Sequence, residues 1–192
     1  MLYMVMMLVV LPALAIDEYA PSMPAMVHAL ATNTHMIQLS ITTYLLAQGI
    51  AQLITGPLSD QYGRKQILLM MLSFYLLGAY AAYISQNVMT LLIGRFIQGF
   101  GMGCCVISTP AIIGDLYKGE KFQKVSSMVV LIYSFIPLIA PIIGGYIQQY
   151  SGWRANFLFL LLLPMLVTLI IVFKLPETLL PERRHTFQLK QL

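Results

Sequence analysis

Gly56-Pro57-Leu58-Ser59-Asp60-Gln61-Tyr62-Gly63-Arg64-Lys65 is a polar, glycine-bounded stretch set between two apolar runs, Ile37 to Gly56 before it and Gln66 to Ile84 after it. Each run has about the 20 residues that a helix needs to cross a hydrocarbon core of roughly 30 Å. The stretch therefore reads as a reversal between two membrane-spanning helices. Glycine at either end permits a sharp turn and close helix approach. Asp60 is placed to accept from the N-terminal amides of the following helix, and Arg64 to pair with Asp60.

Outward from this turn the pattern repeats. Six apolar segments stand out, at 1–23, 37–56, 66–84, 88–114, 125–148 and 155–173. The residues are 59% hydrophobic and only 9% charged, too little polar surface to clothe a water-soluble globule, so lipid is the expected solvent. A strand barrel would show alternating polar and apolar residues in segments of about ten, and no such alternation is present. The expected fold is an all-α membrane protein: six transmembrane helices over 1–175 and a polar, basic tail over 176–192. The opening run ends in Ala13-Leu14-Ala15, like a signal-peptide cleavage site, but lacks a positive leader and reads as the first span.

Of 11 Lys and Arg residues, all but Arg95 and Arg154 follow spans two, four or six: Arg64, Lys65, Lys118, Lys121, Lys124, Lys174, Arg183, Arg184 and Lys190. Basic loops stay in the cytoplasm, so both termini are expected there. This placement also accounts for the formal charge of +4 without a nucleic-acid partner. The segments Gly56 to Gly63 and Gly144 to Ser151 share Gly and Gln-Tyr at equal spacing. They lie three spans apart, as an inverted three-plus-three repeat requires.

The ten-residue turn resembles the signature Gly-x-Leu-x-Asp-x-x-Gly-Arg-Lys of the major facilitator superfamily, with Gln61 where many members carry a basic residue. Arg95, within Gly94-Arg95-Phe96-Ile97-Gln98-Gly99, resembles that family's second signature, whose arginine is associated with proton coupling. Ala140-Pro141-Ile142-Ile143-Gly144-Gly145 resembles in part the span-five signature of its drug and proton antiporters; Ile136 and Ala140 stand where that signature has glycine. Asp17-Glu18-Tyr19-Ala20-Pro21 near the outer end of span one and Leu175-Pro176-Glu177-Thr178-Leu179 after span six are similar to the bicyclomycin-resistance and chloramphenicol-efflux (Bcr/CflA) branch. The resemblance covers nearly the whole chain and implies a multidrug exporter. It would exchange small amphipathic compounds for protons across a bacterial inner membrane. Members of the family have twelve spans, so the chain is expected to be an N-terminal half, completed by a missing C-terminal half, a separate chain or a second copy.

Arginine inside a span costs roughly 2.5–3.5 kcal/mol on insertion scales, so Arg95 must meet a partner or water. With it, Asp17 is the expected proton carrier, while Glu18 reads as a solvated residue at the outer boundary. Gly56, Asp60, Gly63, Arg64 and Lys65 form the expected conformational motif. Gly99, Gly103, Pro137, Pro141, Gly144 and Gly145 are expected to bend and pack helices. Ser40, Tyr44, Gln48 and Gln52 recur every four residues along one face of span two, which suits either interhelical hydrogen bonds or a cavity. With Gln98, Met102, Met128, Tyr133 and Phe135, that face is the expected substrate cavity. Adjacent Cys104 and Cys105 read as packing residues. His28, His35 and His185 lie outside the expected spans, and no hydrolase, zinc or phosphate-loop pattern is present, so no enzyme, cofactor or metal site is expected.

Overall fold

The structure, a computed structural model, describes residues 2–179. Among these it has six helical passes long and apolar enough to span a bilayer. The first pass is α1 (Leu2–Asp17), a 3-10 turn (Ala20–Ser22) and α2 (Met23–Ala29). The others are α3 (Thr34–Tyr62), α4 (Arg64–Tyr83), α5 (Val88–Leu116), α6 (Glu120–Ser151) and α7 (Trp153–Lys174). The first pass thus continues to Ala29, beyond its expected end at Met23. Asp17 and Glu18 consequently lie inside the pass rather than at its outer end. His28 falls in the last turn of α2 and His35 in the first turn of α3.

The interruption follows from proline. Pro21 and Pro24 have no N–H to donate four residues back, so the α-helical ladder cannot run through this stretch. Glu18 N still bonds Leu14 O at 3.1 Å, and Ser22 N bonds Tyr19 O at 2.9 Å, which tightens the chain into the 3-10 turn.

Two junctions share one construction. Gly63, at φ 106° and ψ 142°, ends α3 and begins α4; Gly152, at φ 78° and ψ 171°, does the same for α6 and α7. Side chains other than hydrogen rarely tolerate such angles, so one glycine performs each reversal. The architecture is two sets of three passes, and the glycine hinges mark the same place in each. Gly152 falls one residue beyond the position paired with Gly63 in the sequence repeat. At the end of the bundle that holds Gly152, Asn33 and Asn87 side chains accept from Met36 N and Thr90 N, each at 2.9 Å, and cap α3 and α5.

The core lies along α5, which uses glycine on two faces. A Cβ on Gly99 would overlap Tyr44 O, and one on Gly103 would stand 2.7 Å from Gln48 O, so this face lies against the α3 backbone. A Cβ on Gly101 would overlap Tyr75 N, and one on Gly94 would stand 2.7 Å from Ala82 N, so the other face lies against α4. Close backbone approach replaces the missing hydrophobic drive between helices in lipid. The outer surfaces carry exposed Leu53, Leu77, Val130, Leu138 and Phe173. In water these would be a severe aggregation liability; against acyl chains they are ordinary.

Candidate functional site

Arg95, about two turns into α5, is fully buried. One terminal nitrogen donates to Gln98 Oε1 at 2.6 Å and the other to Ala15 O of α1 at 2.9 Å. Its guanidinium carbon lies 4.5 Å from the ring centroid of Tyr19 and 4.3 Å from that of Tyr44. The cation is thus held between two aromatic rings and a backbone carbonyl, an arrangement that suits a planar, delocalised charge better than an ammonium. Its Nε remains without a partner.

Glu18, the residue before the Tyr19 ring that covers Arg95, is fully buried, against the expectation of a solvated boundary residue. Neither carboxyl oxygen has a hydrogen-bond partner. The reason is the break, since the pass continues beyond Glu18 and keeps it from the membrane surface. Asp17 is only partly buried, and among the described residues its side chain makes no hydrogen bond or ion pair. Around Glu18 and Arg95 lie further buried polar atoms without partners: the Tyr44 and Tyr75 hydroxyls and Gln98 Nε2. Four passes therefore contribute to one polar cluster inside an apolar bundle. The Tyr19 hydroxyl closes its edge, 2.9 Å from Ser40 Oγ.

The expected cavity residues do not share one surface. Tyr44, Gln98 and Met102 are fully buried, Gln48 is nearly so and Gln52 is half-buried. Tyr133 is 46% exposed on α6, and Met128 and Phe135 are exposed beside it. Tyr133 lines a separate cavity of about 310 Å³ with Leu8, Pro12, Cys105 and Thr109. The two cysteines are free and buried, with Cys104 Sγ 3.1 Å from Ser108 Oγ.

At the α3–α4 turn, Arg64 Nε meets Asp115 Oδ2 at 2.6 Å, and a terminal nitrogen meets Asp60 Oδ1 at 3.0 Å. Asp60 does not cap α4. The Arg64 and Lys65 amides instead donate to Glu177 Oε1 and Oε2 at 3.0 and 3.3 Å, while Lys65 Nζ donates to Val172 O at 2.9 Å. The sequence gives no sign of Asp115 at this turn and offers Glu177 only within the stretch after span six, because each is distant from the turn along the chain. Gly56 lies within α3 and makes no tight approach; its Cβ would stand 3.8 Å from Ile107. Within α6, Pro137 and Pro141 occur without ending the helix. Gly144 lies directly against Glu18 O, and Gly145 is near Pro21. Of the expected cytoplasmic residues, Arg183, Arg184 and Lys190 lie outside the described residues, as does His185.

Six passes, one interrupted beside a buried ionisable cluster, define a polytopic membrane protein. The profile of the Major Facilitator Superfamily matches residues 3–191, and the chain belongs to that family. It is 35% identical over 93% of its length to the uncharacterised MFS-type transporter YdgK of Bacillus subtilis, covering 45% of that protein. It is 32% identical, with the same coverages, to a bicyclomycin resistance protein homolog of Haemophilus influenzae. Its fold matches the human organic anion transporter MFSD10 with a TM-score of 0.78 at 19% identity, over 98% of this chain and 51% of that one. The chain spans about half the length of the curated relatives it matches.

Proposed function

We propose that the chain is one six-helix half of an exporter that exchanges small amphipathic compounds for protons across a bacterial inner membrane. Both termini would be cytoplasmic. The observation that carries the reading is Glu18, a buried carboxyl with two unpartnered oxygens in the break of a membrane pass, next in sequence to the Tyr19 ring that covers Arg95. A buried carboxyl without a partner, in a break whose packing can rearrange, is placed to gain and lose a proton as its surroundings change. Glu18 takes the carrier role ahead of its partly exposed neighbour Asp17. The relative named for bicyclomycin resistance supports drug-like substrates. The 310 Å³ apolar cavity with Thr109 and Tyr133 on its wall suits part of such a molecule.

Alternating access in this reading needs a second six-helix unit, supplied by a continuation of the chain, a separate chain or a second copy. The Arg64–Asp60–Asp115 cluster, with Gly63 and Lys65, would hold one of the alternating states at the end of the bundle.

The test is expression of the gene with its native flanking sequence in an efflux-deficient bacterium. Drug susceptibility is read together with dye accumulation in inverted vesicles under a pH gradient. E18Q and R95A, at wild-type expression, are expected to abolish gradient-driven accumulation, and D17N to leave most of it. Unchanged accumulation in both E18Q and R95A overturns the proton-coupling assignment.

A further inference from the structure

Asn156 is a fully buried amide in α7, a helix that contributes nothing else polar to the break. Its Nδ2 donates to Ser22 Oγ, at the end of the 3-10 turn, and to Gly144 O of α6 at 3.2 Å. Nδ2 is therefore used on two different elements, while the amide oxygen has no partner. Gly144 also receives the break directly, since any Cβ there would overlap Glu18 O. Next to Asn156, Phe157 stacks on Tyr19 with ring centroids 5.4 Å apart. Tyr19 is the residue that follows Glu18 and covers the Arg95 guanidinium. One turn of α7 thus holds both sides of the interruption.

An amide is costly to bury unless its groups are satisfied, and apolar packing alone would favour an aliphatic residue here. Asn156 ties the Ser22 hydroxyl, at the end of the interrupted stretch, to the carbonyl of Gly144, the α6 residue that packs on Glu18 O. We propose that Asn156 is a positioning residue for Glu18, fixing the break at the register that sets the Glu18 carboxyl beside Arg95. The proposal rests on the reading of Glu18 as the proton carrier. The charged and titratable groups nearest the break are Arg95 of α5, covered by the Tyr19 ring, and the phenol of Tyr75 on α4. α6 and α7 bring Gly144, Asn156 and Phe157 against the break. Asn156 therefore acts through position, not charge.

The experiment uses the purified 192-residue chain in lipid nanodiscs and follows the infrared C=O stretch of protonated carboxyls against pH. E18Q identifies the Glu18 band by removing it. N156A is expected to move the pH midpoint of that band by about one unit, tenfold in proton affinity. S22A should reproduce part of the shift, and S22A/N156A should add little to N156A alone. L160A, a buried α7 residue one turn further on, is the control: it should lower thermal stability and leave the midpoint in place. If N156A does not fold, S22A carries the test. A band that titrates unchanged in E18Q removes the carrier assignment itself. A band lost in E18Q but unmoved in N156A and S22A leaves Glu18 in its role and overturns the role of Asn156.

Discussion

Arg95 shows why arginine and lysine are not equivalent inside a membrane. Two nitrogens reach Gln98 and Ala15 O while the planar face lies between Tyr19 and Tyr44. A lysine keeps the charge but has neither the fork nor the face, and its compact ammonium is more strongly hydrated. R95K is therefore expected to behave as R95A in the vesicle assay, with accumulation lost despite the retained charge. Cation–π contact at a desolvated site is worth about 2 kcal/mol per ring. Y19F should retain coupling, since it preserves the ring and removes only the hydroxyl bonded to Ser40, whereas Y19A should lose both ring contact and coupling. Equal losses in Y19F and Y19A would place the function in the hydroxyl instead.

At the scale of elements, the glycine faces of α5 set how near its neighbours can lie. Gly99 has no space for a methyl group because Tyr44 O occupies it. G99A must separate α5 from α3, and overpacking of this kind typically costs about 1–3 kcal/mol. Lower thermal stability in detergent is the expected readout, with Gly49, which has open space around it, as a tolerant control for G49A. Glu177 supplies the cap at the α3–α4 turn. Its removal in E177A should destabilise the start of α4 by about 1 kcal/mol and speed hydrogen exchange at the Arg64 and Lys65 amides, while D60A leaves those amides protected. Gly63 announced the reversal in the sequence, and the ion pair of Arg64 with Asp60 is local at four residues' spacing. The cap was not legible, because the carboxylate that fills it arrives from the end of the last pass. Proximity in the chain favoured Asp60, but geometry in the folded protein gives the amides to Glu177.

For the whole molecule, the long apolar runs made six passes legible, since lipid forces each crossing to satisfy its own backbone. The same runs located α3 to α7, although α3 continues to Tyr62 and α6 begins at Glu120. They ended the first pass at Met23, whereas neighbouring Asn156 and Gly144 support its continuation through Pro21 and Pro24. That same misplacement favoured Asp17 over Glu18 as the buried acid. Burial within a bundle depends on contacts from α5, α6 and α7, which no local pattern records. Orientation rests on charge alone, and it has a direct test. Lys118 and Gln86 are exposed at opposite ends of the bundle, one between α5 and α6 and the other between α4 and α5. The native thiols, Cys104 and Cys105, are buried, so an impermeant maleimide should find little background. In intact cells Q86C should label at once, and K118C only after the inner membrane is permeabilised, because Lys118, Lys121 and Lys124 hold their loop in the cytoplasm. The reverse pattern would turn the bundle over and place the Arg64–Asp115 cluster on the outer face, where the proposed exporter has no use for a basic loop.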